Sequence, residues 1–342
     1  MCVDRRLRAS IAALAALLVV TGCAPTSVRP TATPPAPSVI PALPTEGYLV
    51  ADSATTATLD RHLPAVSMVG IDGVILSATG DSVGELPKNA APLVAAAHAR
   101  GLGAELLVSN YDDSVGAFSP KIATALLASP EHRSAVTAQL VSQVTSAGFD
   151  GVQIDLESLG AVDAAGLTAF AQQLRDALGA PRTVSMAVMA ESSGARYLGA
   201  GYDVASLTTI LTRVVLMAYD QHGPTWSKPG PVGGLPWATA SLDALISTGL
   251  PAGKIDLGVA GYGYSWPGNG SDGTQLSDDD SRTLAGDLAR WDSTQAEWTA
   301  TLPDDTVVWW SDARSLRERR ALAVSRHLHG VAVWDLSLSD PL

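Results

Sequence analysis

Cysteine is almost missing from this 342-residue chain: Cys2 and Cys23 are the only two, and both fall within the first 23 residues. From Ala24 onward there is no thiol, which excludes a disulfide-stapled fold and a cysteine-ligated zinc site. Charge is sparse too, at 16% of residues against 46% hydrophobic, a balance that excludes a disordered chain. Basic charge is the scarcer sign. Lys and Arg number 22 against 34 Asp and Glu, the net charge is −12, and no basic cluster offers a face to nucleic acid. There is no Gly-x-Ser-x-Gly elbow, no P-loop and no repeat with a recurring consensus. The six histidines are scattered apart from His327 and His329, and a metal site needs three or four convergent ligands, so no metal and no cofactor is expected.

What is present begins with the amino terminus. Arg5, Arg6 and Arg8 precede the apolar run Ile11–Val20, which ends at Thr21-Gly22-Cys23. A basic region, a short apolar stretch and small residues make a secretory signal over residues 1–22, too short for the about 20 apolar residues of a bilayer span. Val20-Thr21-Gly22-Cys23 resembles a bacterial lipobox, which implies lipidation at Cys23 and a lipid-anchored, extracytoplasmic protein. Residues 23–45 then hold seven prolines among Thr, Ser and Ala, the composition of an extended, semi-rigid spacer.

From Glu46 onward, β-rich runs alternate with alanine-rich helical ones. Strands are expected at Tyr48–Ala51, Gly73–Ser77, Ala104–Ser109, Gly151–Glu157, Val184–Met189, Arg213–Tyr219, Asp256–Tyr262 and Gly330–Leu336. Helices are expected at Ala90–Arg100, His132–Ala147, Ala164–Leu178, Ala238–Thr248 and Ser315–Leu328. Eight strands with intervening helices predict one α/β domain over residues 46–342, a (β/α)8 TIM barrel, with a doubly wound sheet as the alternative. The excursion Ser265–Asp312 holds five tryptophans and the acidic run Asp278-Asp279-Asp280, and reads as a short β-rich insertion between strands 7 and 8 that includes a hairpin at Trp298 and Thr306–Trp310.

The stretch that carries chemistry is Asp150-Gly151-Val152-Gln153-Ile154-Asp155-Leu156-Glu157. With period two along a strand, Val152, Ile154 and Leu156 face the helices, while Gln153, Asp155 and Glu157 share the other face. Parallel strands are usually apolar on both faces, so a polar row containing two carboxyls is costly unless it does something. At the carboxyl end of a barrel strand, paired and desolvated acids suit general acid catalysis near neutral pH.

This stretch resembles the Asp-Gly-x-Asp-x-Asp-x-Glu signature of glycoside hydrolase family 18. Met217-Ala218-Tyr219-Asp220, Gly261-Tyr262-Gly263-Tyr264-Ser265-Trp266, Val308-Trp309-Trp310-Ser311-Asp312 and Gly330–Leu336 with Trp334 resemble further segments of that family, in family order from Glu46 to Asp340. The similarity is to the branch of spore-cortex and cell-wall N-acetylglucosaminidases. The resemblance implies a substrate-assisted, retaining glycosidase acting on β-1,4-linked N-acetylglucosamine polysaccharide, peptidoglycan first and chitin second. It gives Glu157 the role of acid, Asp155 that of acetamido orienter, Tyr219 that of donor to the acetamido oxygen, and Trp334 that of sugar floor. Met217, Asp220, Tyr262 and Asn110 are expected at the substrate. The family's middle Asp is Gln153 here, whose amide is expected at the substrate too, donating to Asp155. Trp226, Trp237 and Trp266 are candidates for stacking on sugars. A monomer is expected, touching a membrane only through its anchor. A non-catalytic lectin on the same barrel and an envelope scaffold are the rival readings.

Overall fold

The computed structural model describes residues 43–270 and 272–342. The signal, the lipobox with Cys23 and nearly all of the spacer lie outside the described residues.

Eight parallel strands close into a barrel, each bonded to the next in sequence and the last to the first, where Thr45 pairs with Val331 and Gly47 with Val333. In chain order they are Thr45–Val50, Met68–Ile75, Gly103–Ser109, Gly151–Asp155, Thr183–Met189, Arg213–Met217, Ile255–Ala260 and Gly330–Trp334. The expected barrel is therefore the observed one, and the doubly wound alternative falls.

The helices form where sequence and caps agree. Pro130–Ala147 starts with Pro at its first turn and the Ser129 hydroxyl accepting from the His132 N–H, and it stops at Gly148, whose φ of 82° is left-handed. That stop turns the chain into the fourth strand. There Val152, Ile154 and Leu156 are fully buried against the helices, each worth about 1.5–3 kcal/mol of apolar burial.

Boundaries differ most at the second strand, expected at Gly73–Ser77 and found at Met68–Ile75. Gly70, Asp72 and Gly73 interrupt its β-rich pattern. Gly70 is required by packing, since a Cβ there would lie 2.5 Å from the Tyr48 ring. The fourth and sixth strands end at Asp155 and Met217, earlier than expected, so Glu157 and Tyr219 stand just past the strand ends.

The insertion is larger than a hairpin. Five antiparallel strands lie in the order Thr274–Leu276, Gly263–Trp266, Val307–Trp310, Glu297–Thr301 and Arg290–Asp292, with the expected hairpin as its centre. The acidic run opens a helix, Asp278–Ala285, capped by Ser277, where three carboxylates meet the positive end of the helix dipole. Buried Arg319 donates to Glu297 at 3.1 Å, and Glu297 accepts from the N–H groups of Val232 and Gly233 at 2.8 Å each. The inserted sheet, the last helix and the loop after the sixth strand are thus tied together.

The lower barrel interior is polar. Arg213 donates to Glu46 at 2.8 Å, to Glu105 at 2.9 and 3.0 Å and to Asp256 at 2.9 Å, all buried. Three carboxyls around one guanidinium carry a surplus of negative charge. Burial, with Glu105 and Asp256 adding, pushes Glu46 up to about 7 despite Arg213.

Candidate active site

Above this polar layer, at the carboxyl ends of the strands, lies a cavity of about 650 Å³. Asp155, Glu157, Met217, Tyr219, Asp220 and Trp334 all line it, from the fourth, sixth and eighth strands. A smaller pocket of about 140 Å³ shares Glu157, Met217, Tyr219 and Asp220 and adds Met189, Ala190 and Trp237. Glu157 therefore stands where two halves of one cleft meet.

The alternation carries the two acids to one side, two residues apart, and burial sets their chemistry. Glu157 is pushed well above the usual carboxylate range by burial first, then by Asp155 and Asp220. Asp155 is pushed up to about 7, again mostly by burial, with Asp72 adding to it. Its Oδ1 is buried with no hydrogen-bond partner, an acceptor left open. Tyr219 is held protonated, its pKa raised by burial and the neighbouring acids. Trp334 packs on Tyr48 at 5.4 Å between ring centroids.

Three expected substrate contacts stand elsewhere. Gln153 is fully buried one layer below the cavity. Its Nε2 donates to Ser185 at 3.1 Å and to Glu46 at 3.3 Å, and its Oε1 accepts from Tyr48 at 2.7 Å. The expected bond from Gln153 to Asp155 is not made, because the carboxylates of the Arg213 cluster take the amide instead. Asn110 is buried too, and its side chain clamps the main chain of Glu157. Tyr262 is buried behind Asp220, to whose Oδ1 it donates at 2.5 Å, while Tyr264 donates to the same oxygen at 2.8 Å. These phenols partly offset the burial that raises the Asp220 pKa.

The remaining motif residues are sorted by the same contacts. Asp150 is structural: its Oδ2 accepts from the Ala104 N–H at 2.8 Å and lies 3.0 Å from His98 Nε2. Of the tryptophans, Trp237 lines the smaller pocket and exposed Trp226 meets the edge of Tyr264. Trp266 is buried, donating to the Gly223 carbonyl. His329 pairs with Asp256 at 2.6 Å, and among the described residues no acid or histidine group is arranged to hold a metal ion.

Several lining residues were not singled out from sequence. Asp72 faces the cavity from the second strand, with its pKa raised to about 6 by burial, Asp335 and Asp52. Its signal was an acid inside an otherwise apolar parallel strand. Tyr111 and Phe118, on a two-stranded hairpin after the third strand, also line the cavity. Their placement left no periodic trace.

Known proteins resemble this chain over most of its length. Residues 95–339 match the model for glycosyl hydrolases family 18. The chain is 24% identical to the uncharacterized glycosylase YvbX of Bacillus subtilis over 85% of this chain and 87% of that one. It is 26% identical to the cortical fragment-lytic enzyme of the same organism, over 69% of this chain and 57% of the relative. Among solved structures, a chitinase from Chromobacterium violaceum superposes with a TM-score of 0.77 at 26% identity, covering 87% of this chain and 95% of that one. The chain belongs to the glycosyl hydrolases of family 18 and is a glycosidase.

Proposed function

We propose that this glycosidase cleaves β-1,4 linkages of N-acetylglucosamine glycans with retention of configuration, using the substrate's own acetamido group as nucleophile. Peptidoglycan is the first substrate and chitin the second. One observation carries the reading: Asp155 and Glu157 share a cavity with Tyr219 and Trp334, and the buried Asp155 Oδ1 has no partner.

The chemistry follows from the protonation states. Glu157, raised in pKa, delivers its proton to the glycosidic oxygen as the bond to the anomeric carbon breaks. The acetamido oxygen closes on that carbon, forming an oxazolinium ion. Asp155 accepts the acetamido N–H, orienting the amide and balancing its growing positive charge, while the Tyr219 hydroxyl donates to the acetamido oxygen. Trp334 supplies an apolar floor for the sugar. Glu157, now a carboxylate, takes a proton from the water that opens the ring. This scheme is one of the recognised exceptions to two-carboxylate glycoside hydrolysis.

The lipobox-like segment ending at Cys23 and the proline-rich spacer support an extracytoplasmic, lipid-anchored placement, which suits a cell-wall substrate. The similarity to the cortical fragment-lytic enzyme supports the order of substrates. The test is release of reducing ends from purified peptidoglycan and from chitooligosaccharides, with the first-formed anomer read by NMR. Release of the β-anomer by wild type, lost in Glu157→Gln, is expected. Binding without turnover establishes the lectin reading instead, and equal release by both proteins removes Glu157 as the acid.

A further inference from the structure

Eighteen of the described residues line the large cavity, and seven of these are acids: Asp52, Asp72, Glu85, Asp113, Asp155, Glu157 and Asp220. None is Lys, Arg or His. The reaction proposed above uses Asp155 and Glu157, and Asp220 is held by two tyrosines. Asp52, Asp72, Glu85 and Asp113 have no such assignment, and among the described residues their side chains make no hydrogen bond or ion pair. Elsewhere some acids are paired, as in Asp60 with Arg100, half-buried Glu191 with Arg196 and Asp243 with Arg326, while exposed Asp287, Asp305 and Glu318 are not, so what sets the cleft apart is the convergence of four such acids on one cavity without a basic residue.

From these contacts we propose that the cavity selects an N-acetylglucosamine glycan in which a sugar beside the reacting one carries a free, protonated C2 amine. This rests on the glycosidase reading and narrows its substrate class. A fully acetylated, unsubstituted glycan is neutral and gains little from four unpaired carboxylates. An ammonium group is attracted, and a low-dielectric cleft of one sign focuses that attraction.

A bound metal ion would also satisfy carboxylates, but no three acids among the described residues are placed to ligate one. The reacting sugar itself must stay acetylated, because its acetamido oxygen is the nucleophile and the unpartnered Asp155 Oδ1 awaits its N–H. The four extra acids belong to the large cavity and are missing from the Trp237 pocket, so the amine is read on the large-cavity side. There Pro87, Ile75, Tyr111 and Phe118 offer apolar contact for sugar faces.

The test is calorimetric binding of three glucosamine hexamers to Glu157→Gln: fully acetylated, half-deacetylated and fully deacetylated. In low salt the half-deacetylated hexamer is expected to bind about tenfold tighter than the acetylated one, with most of that ratio lost near 0.5 M NaCl, where screening lengths fall to a few ångströms. The triple variant Asp52→Asn, Glu85→Gln, Asp113→Asn, made on the same background, brings the ratio close to one while its thermal midpoint confirms folding. With wild type, the fully deacetylated hexamer binds and inhibits but is not cut. Equal or weaker binding of the amine-bearing hexamers, or a preference indifferent to salt and to the triple variant, overturns the proposal. Hydrolysis of the fully acetylated hexamer by wild type tests the glycosidase reading separately.

Discussion

The side-chain amide of Asn110 spans the main chain of Glu157: its Oδ1 accepts the Glu157 N–H at 2.9 Å and its Nδ2 donates to the Glu157 carbonyl at 3.0 Å. The same Nδ2 donates to the Ser119 carbonyl at 2.9 Å, and the Tyr202 hydroxyl holds the Leu156 carbonyl at 3.0 Å. The backbone carrying the acid is therefore fixed by side chains from neighbouring segments, just beyond the end of its own strand.

Asn110 is a positioning residue, so Asn110→Ala is expected to act on turnover more than on binding. kcat should fall about ten- to a hundredfold, in line with the cost of a misplaced catalytic group, while KM stays within about twofold. Stability should drop by about 2–4 kcal/mol for the lost and orphaned hydrogen bonds. Asn110→Asp keeps the acceptor for the Glu157 N–H and should recover part of kcat. Steady-state kinetics and thermal melts check both, and a KM effect equal to the kcat effect contradicts the assignment.

Asp72 raises the Asp155 pKa by its charge, so Asp72→Asn should lower the Asp155 value below about 7. The reaction proposed above needs Asp155 ionised, and the acid limb of kcat should therefore move to lower pH. Stability gives an independent check. Asp72, with its folded pKa raised from 3.8 to about 6, binds more protons folded than unfolded between those values. Its contribution is fully present below about pH 4 and is lost as pH rises to about 6. Melting temperatures of wild type against Asp72→Asn across pH 4–7 should show a shallower decline in the variant.

Gln153→Asp restores the family's acid, yet it should destabilise this protein. The new carboxylate would stand beside Glu46 and Glu105 with one guanidinium among them and without the Nε2 donor. A loss of about 2–4 kcal/mol is expected at pH 8, and less at pH 5, where carboxyls protonate more readily. Urea denaturation at the two pH values measures it, and an unchanged midpoint at pH 8 argues against the role given to the amide.

Arg213→Met removes the guanidinium shared by Glu46, Glu105 and Asp256. Leaving buried charges uncompensated should cost about 3–5 kcal/mol near neutral pH. The loss should shrink in acid, because Glu46 already has its pKa raised to about 7 and gives up its stabilising proton as pH rises from about 4.5 to that value. Thermal melts at pH 5 and pH 8 are the measurement.

Much of the fold was legible because barrel strands leave a local trace. The Gly151–Glu157 stretch announced both its apolar face and its polar one through side-chain alternation alone. The second strand was harder, since Gly70 serves the ring of Tyr48 and Asp72 serves the cavity, and both interrupt its apolar pattern. Asn110, Gln153 and Tyr262 were recognised as belonging near the site, but their tasks were misassigned. Asn110 and Tyr262 each hold a residue that lines the cavity without lining it themselves, and Gln153 joins the polar layer beneath it.

The order of residues along the chain determined which elements form, which face of the fourth strand is polar, and that two acids two positions apart share it, because strand periodicity is a property of neighbours in sequence. Only tertiary structure decided which polar groups meet. Gln153 belongs to the Arg213 cluster, Asn110 to the backbone of Glu157, and four unpaired acids to the cleft, because hydrogen bonds and charges are set by distances across the barrel between residues tens to more than a hundred positions apart.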